Sequence, residues 1–278
     1  MDVRKWYLDW QSAEHVELFD GRASLSSANL LRCYEAFNDV RILNERLDLN
    51  RELSLLEVGC ATGEFYRYLR IRYPQVRYFG ADISKPAIER AKEKYPQGPF
   101  FLVDPEAEVT TLAEKIGLRR APAIVYAKDV VQHQTDPFGF VSELVRAASE
   151  MAVFRCRTRD RGKTVLDPEQ SCQYHYGGWM PYIVLNLDEL IEHIKGEWPR
   201  SEILVYRNHM VLGGQHNRYL PKDCYLREAG TAETAVGVFL RTDRPGYVSV
   251  TDRLDQNPRY TLDHLVRAGV RKALSLIR

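Results

Sequence analysis

The 278-residue chain is 45% hydrophobic and 28% charged, with 39 basic against 38 acidic side chains and a formal net charge of +1. That size and apolar content suffice for an ordinary core in one elaborated domain or two small ones. The near balance of charge excludes a whole-molecule field that would draw the chain onto nucleic acid. Five scattered cysteines (Cys33, Cys60, Cys156, Cys172 and Cys224), with no C-x-x-C pair, argue against a disulfide framework and a zinc knuckle. The N-terminus lacks the apolar core of a signal peptide, and no apolar run reaches bilayer-spanning length, so the expected location is the reducing cytoplasm.

Residues 1–22 carry Trp6, Tyr7, Trp10, His15 and Phe19 among charges, without clean periodicity, and read as a short helical or irregular segment. From Ser26 onward, with Ser26 or Ser27 available as N-cap, Leu30, Tyr34, Phe37, Val40 and Leu47 recur at roughly helical spacing and predict a helix over the mouth of a binding crevice. Residues 1–50 thus form an N-terminal helical cap. Its aromatic cluster either closes on substrate or anchors the segment to the core.

Leu53 to Val58 is too short for a helix and is closed by Gly59, so it reads as a buried parallel strand. Gly59 and Gly63 frame its exit in a G-x-x-x-G loop, where the backbone can turn tightly against a nucleotide-like ligand and a helix points its positive end at the same spot. Ala61 stands where a dinucleotide fingerprint would place a central glycine, which weakens a nicotinamide reading. Phe65, Leu69 and Tyr73 form one face of the following helix, and Pro74 ends it. Val76 to Asp82 is the second strand, and Asp82 follows Gly63 by 19 residues, the spacing of a carboxylate that accepts ribose hydroxyls. Ser84 with Pro86 opens the next helix, Phe100 to Asp104 is the third strand, and a short helix spans Thr110 to Lys115.

In this order of motifs the chain resembles the class I S-adenosylmethionine-dependent methyltransferases, whose first motif has the form E/D-x-G-x-G-x-G and whose second and third strands end in acidic residues. The resemblance runs from about Leu53 to Glu150, with Ala61 as its one departure. It implies an α/β fold: a doubly wound, mostly parallel seven-stranded Rossmann-like sheet with an N-terminal helical cap and a C-terminal helix. It further implies S-adenosylmethionine as cofactor, with Glu57, Gly59 and Gly63 lining the methionine moiety, Asp82 at the ribose and Asp104 at the adenine amine, and with Cys60, Ala61, Ile83 and Lys128 among the other cofactor-binding residues.

The fourth strand, Ala123 to Ala127, leads into Lys128-Asp129-Val130-Val131-Gln132-His133. In an open α/β sheet, strands one and four flank the switch point where ligands sit, so Lys128 to His133 should face the methyl donor. The stretch is similar to the fourth motif of small-molecule methyltransferases. His133 matches its histidine and is either a general base or a residue that caps the turn.

Phe138 to Ala148 reads as an amphipathic helix and Met151 to Cys156 as the fifth strand. Arg155, Arg157, Arg159 and Arg161 then recur two apart, on one face of an extended chain; they form either a cationic rail for an acidic or phosphorylated substrate, with Arg157 in the substrate site, or a solvated loop. Tyr174, Tyr176 and Trp179, among glycines, suit sugar rings or flat acceptors. Asn186 caps a helix over Leu187 to Lys195, and Ile203 to Val211 and Ala235 to Arg241 fit antiparallel sixth and seventh strands. Residues 51–245 are then the catalytic domain, with substrate-loop insertions at 157–186 and 212–232. His209, His216, Tyr219 and Tyr225 have no metal-ligand spacing, so no metal is expected. The tail, 246–278, holds a basic amphipathic pattern over 260–278 that either makes peripheral contact with an anionic membrane or packs on the domain.

The expected function is methyl transfer to a small-molecule or glycan-type acceptor, at oxygen. The alternatives are a nicotinamide-dependent oxidoreductase on a similar sheet and a non-catalytic module that binds S-adenosylmethionine. Sequence leaves the oligomeric state open.

Overall fold

The computed structural model describes residues 10–12, 16, 17, 20, 25–47, 51–175, 177–209 and 218–253. Its frame is a mixed sheet in the order β12-β9-β11-β5-β4-β1-β2-β3. The parallel half comprises β1 (Ser54–Val58), β2 (Arg77–Asp82), β3 (Phe100–Leu102), β4 (Ile124–Lys128) and β5 (Met151–Arg159). In the other half, β11 (Ala232–Phe239) runs antiparallel to both β5 and β9 (Glu202–Asn208). The expected doubly wound, mostly parallel sheet is present.

The sheet also extends past the seven expected strands. β12 (Val248–Asp252) lies parallel to β9 at the edge, and the short β8 (Leu185–Asn186) pairs with the end of β5. The tail predicted to begin at 246 therefore starts inside the sheet. The helical pattern over 260–278 lies outside the described residues.

Among the described residues seven α-helices cover the two faces. One face carries α1 (Ser27–Glu35), α2 (Asn38–Arg46), α3 (Glu64–Arg72) and α4 (Lys85–Lys94), around a core that includes Leu43, Leu55, Phe65, Tyr68, Ile88 and Tyr126. The other carries α5 (Val109–Lys115), α6 (Pro137–Ala147) and α7 (Leu187–Glu197) over Leu56, Val125, Leu144, Phe154 and Leu190. The predicted caps form: Ser26, Ser84 and Asn186 each accept a backbone N–H with the side chain.

The single helix expected from Ser26 is instead two. Phe37 is extended (φ −74°, ψ 138°) and serves as the N-cap of α2 without a side-chain bond. The break turns the Phe37 ring under cations at the carboxyl ends of β4 and β5, and those contacts replace continuous helix: Lys128 Nζ lies 3.9 Å from its centroid and the Arg155 guanidinium 4.9 Å.

A second, three-stranded sheet stands beside the carboxyl end of β5, in the order β10 (Arg218–Tyr219), β6 (Cys172–His175), β7 (Gly178–Pro181). Its antiparallel register pairs Tyr174 with Trp179, Gln173 with Met180, and Arg218 with Gln173. Paired residues share a face. Gln173, Met180 and Arg218 therefore lie on one side and Tyr174 and Trp179 on the other.

Candidate active site

The candidate residues gather where β1, β2, β4 and β5 end. Gly59 leaves β1 at φ +80°, and a Cβ added there would sit 2.4 Å from Val130 Cγ2. The Gly59 and Cys60 amides donate to the Ala81 carbonyl at 2.8 and 3.1 Å, which folds the loop back over β2. Ala61 adopts φ +45°, a left-handed conformation that a glycine would take at lower cost, and Gly63 at φ +80° caps α3. The departure from the glycine pattern at Ala61 thus keeps the glycine-like backbone.

Two buried carboxyl groups flank this loop. Asp82 accepts from the Ala61 amide at 2.7 Å and the Ser84 amide at 2.8 Å, so it braces the loops after β1 and β2 together. Burial pushes its pKa up, and the backbone N–H groups oppose the rise. Glu57 lies at the end of β1 and accepts from the Tyr78 hydroxyl. Burial pushes it up to about 8, against the lowering effects of the Tyr78 bond and the Lys128 charge. Burial also raises the neighbouring Cys60 thiol well above its ordinary value.

The loop after β2 meets the N-terminal segment. Gln11 Nε2 donates to the Ile83 carbonyl at 2.8 Å, Ser84 Oγ to the Trp10 carbonyl at 2.7 Å, and Asp20 pairs with Arg90 and Lys94 at 2.6 Å each. Trp6 and Tyr7, the other members of the aromatic cluster, lie outside the described residues. Asp104 is exposed two residues beyond the end of β3, and its Oδ1 accepts the Glu106 amide at 2.9 Å. It caps a turn there.

At the end of β4 the Lys128 side chain is drawn onto Phe37 and Tyr34. Asp129 follows at φ +58°, a conformation rare outside glycine. Its carboxylate is gripped by Arg155 through Nε at 3.0 Å and through Nη2, and by Arg157 Nη1 at 3.2 Å. Burial opposes ionisation of Asp129, but the two guanidiniums outweigh it and hold the carboxyl far below the usual range. Within the row of arginines, Arg155, Arg157 and Arg159 are buried in β5 and compensated, and form neither a cationic rail nor a solvated loop, while Arg161 is exposed in the turn beyond. Glu233 lies 3.1 Å from each of the first two, and Asp223 pairs with the third. Burying guanidiniums costs too much without such partners.

His133 closes a one-turn helix, Val131–His133. Its Nδ1 lies 2.9 Å from the Pro181 carbonyl, an acceptor, so Nδ1 carries the proton and Nε2 keeps its lone pair, facing Gln132 Nε2 at 3.4 Å. Burial pulls its pKa down to about 4. Trp10 and Tyr182 flank the ring, with centroids at 5.0 and 5.7 Å. Tyr182 in turn accepts Arg157 Nε at 3.0 Å and carries the Arg218 guanidinium 4.3 Å over its ring.

This wall belongs to the inner face of the small sheet. Arg218 Nε reaches Gln173 Oε1 at 3.4 Å, and Gln173 and Met180 are buried beside it. Tyr174 and Trp179 occupy the outer face, 46% and 39% exposed, and do not join the His133 wall. Tyr176 lies outside the described residues. The sequence reasoning placed Asp129 and Gln132 only within the stretch 128–133 and singled out neither Gln173, Tyr182 nor Arg218; alternation along 172–182 carried a signal for Gln173, since it separates that residue from Tyr174. Among the described residues no group of three or more His, Cys, Asp or Glu could hold a metal ion, and no helix is long and apolar enough to cross a membrane.

Residues 56–154, which run from β1 through β5, match a family model described as a methyltransferase domain. Over these residues the chain carries a methyltransferase domain of the class I S-adenosylmethionine-dependent type. Among curated members of the family, trans-aconitate 2-methyltransferase of Paracidovorax citrulli is 28% identical over 104 residues, 36% of this chain and 38% of the relative. Malonyl-[acyl-carrier protein] O-methyltransferase of Priestia megaterium is 26% identical over 98 residues, 32% and 36% of the two chains. These matches span less than half the length of either relative. In three dimensions the chain shares its fold with the plantazolicin methyltransferase BpumL in complex with SAH, with a TM-score of 0.51, 14% identity and coverage of 86% of this chain and 94% of the other. It also shares it with the O-methyltransferase of a trans-AT PKS multienzyme of Brevibacillus brevis in complex with S-adenosyl-L-homocysteine, at TM-score 0.52, 12% identity and coverage of 86% and 77%.

Proposed function

We propose that the protein transfers a methyl group from S-adenosylmethionine to a carboxylate oxygen of an acidic small molecule. The donor half of this reading rests on one arrangement: the left-handed loop from Gly59 to Gly63, flanked by buried Glu57 and Asp82 at the ends of adjacent strands. Those groups fit the cofactor, with Glu57 toward its amino-acid end, Asp82 and Ile83 toward the ribose and Asp104 at the rim. When bound, S-adenosylmethionine supplies a methyl group on a positively charged sulfur, open to attack by a lone pair in line with the departing bond.

The acceptor half is supported by His133. Its ring is neutral at pH 7, its Nδ1–H is committed to Pro181, and a conjugate acid near pKa 4 makes Nε2 a weak proton acceptor. Such a ring suits a nucleophile that is already ionised and needs orientation more than deprotonation. A carboxylate meets that description, and the two curated relatives are named for acids, an aconitate and a malonyl group. The glycan-type acceptor read from the aromatic loop loses support, because Tyr174 and Trp179 face outward.

Calorimetric titration with S-adenosylhomocysteine and with NAD tests the donor: the first should bind and the second should not. Radiolabelled transfer to a panel of carboxylic acids and matched alcohols tests the acceptor, since methyl esters release methanol in base and methyl ethers do not. His133→Ala should keep kcat within about tenfold, whereas loss of a true general base costs about 10²–10⁴-fold.

A further inference from the structure

We propose that Arg157 is a positioning residue that clasps the turn after β4 to the wall formed by residues 181–183, so that the donor side and the acceptor side of the crevice move as one body. The inference rests on the methyltransferase reading for what those two sides bind, but not for the clasp itself. The three guanidinium nitrogens of Arg157 are spent on three elements. Nη1 donates to Asp129 Oδ1 at 3.2 Å in the turn after β4, Nε to the Tyr182 hydroxyl at 3.0 Å just beyond β7, and Nη2 lies 3.1 Å from Glu233 Oε2 on β11. A planar fork with fixed directions can span three partners in this way, and a lysine ammonium on its flexible stem cannot reproduce it.

Two further bonds run between the same pieces of chain. The Ile183 amide donates to the Gln132 carbonyl at 2.8 Å, and His133 Nδ1 meets the Pro181 carbonyl at 2.9 Å. The turn is itself under backbone strain at Asp129, with φ +58°, and such conformations persist only where the surroundings over-determine them. The same turn presses Val130 onto Gly59 in the donor loop. A displacement of the donor loop therefore reaches Val130, then Asp129, then Arg157 and Tyr182, through contacts that have little slack. Arg155 does not duplicate this role: its partners are Asp129, Glu233 and Asp39, and it makes no bond to Tyr182 among the contacts described.

Amide hydrogen exchange of the full chain tests the clasp, using Tyr182→Phe, which removes only the hydroxyl, and Arg157→Lys, which keeps the charge. Without ligand, both variants should exchange at least about threefold faster than wild type across the turn 129–134, by a larger factor than any change of exchange in β2. With S-adenosylhomocysteine as probe, protection of the Ile183 amide should rise in wild type and not in Tyr182→Phe. Equal exchange of the turn in wild type and both variants overturns the clasp, as does uniform acceleration across the molecule, which would mark a merely structural role. If wild type fails to bind S-adenosylhomocysteine, the donor reading falls, and the ligand-free arm still decides the clasp.

Discussion

Gly59 shows how little latitude the loop after β1 has. A methyl group there would meet Val130 Cγ2 at 2.4 Å and would sit on a backbone at φ +80°, so over-packing and left-handed strain add. Gly59→Ala should therefore cost at least about 2 kcal/mol in chemical denaturation, and it should weaken S-adenosylhomocysteine binding measured by calorimetry. Glu57 makes a different prediction, through pH. Its folded pKa, about 8, lies above the ordinary 4.5, because burial disfavours the charge. Between those values the folded chain holds a proton that the unfolded chain has released, so stability falls as pH rises from about 4.5 to about 8 and levels off above that. Glu57→Gln should remove this component. Melting temperatures of the ligand-free protein taken across that window should decline less in the variant than in wild type; parallel curves would show that Glu57 is already ionised in the fold.

The elements of the parallel half were legible because their signals are local. A short apolar run ending in glycine made β1, Ser84 with Pro86 made the start of α4, and Asn186 made the start of α7. What was not legible depends on partners distant in the chain. The arginine row of β5 looked like a solvent-facing or ligand-facing feature, because nothing nearby in sequence announces that Asp129, Glu233 and Asp223 will compensate it. The break between α1 and α2 has the same origin. Phe37 is pulled out of helix by Lys128 and Arg155, and Asp39 beside it is wholly buried, accepting from the Tyr126 hydroxyl and facing Arg155 Nη1 at 3.6 Å. This link ties α2 to the ends of β4 and β5, and its loss would leave a buried phenol and guanidinium short of a partner. Asp39→Ala should thus destabilise the chain by about 3 kcal/mol or more in urea denaturation, whereas Trp179→Ala on the outer face of the small sheet should leave stability within about 1 kcal/mol.

How far the folded unit extends is set at the other edge of the sheet. The boundary read at 246 lies ahead of the amphipathic pattern over 260–278, because five residues of mixed polarity, Val248-Ser249-Val250-Thr251-Asp252, carry a weak strand signal against a long helical one. In the fold they lie parallel to β9 along its full register, so β9 is enclosed between β11 and β12, with the turn 240–247 passing its amino-terminal end. Side chains reinforce the ladder: Arg207 Nε donates to Asp252 at 2.8 Å, Asn38 Nδ2 to the Arg253 carbonyl at 3.2 Å, and Arg253 lies 4.0 Å over the Tyr206 ring and 3.2 Å from Glu45. These contacts join the edge of the sheet to α2, the same helix that Asp39 fastens at the site end. A strand held from two directions in this way is part of the cooperative unit and not an appendage. A chain ending at Arg253 should accordingly keep the melting temperature of the full chain to within about 3 °C and bind S-adenosylhomocysteine as well, while one ending at Asp243 should lose several degrees and expose the Leu204 and Tyr206 side of β9. Differential scanning calorimetry of the two truncations checks this, and equal melting temperatures would place β12 outside the unit that supports the site.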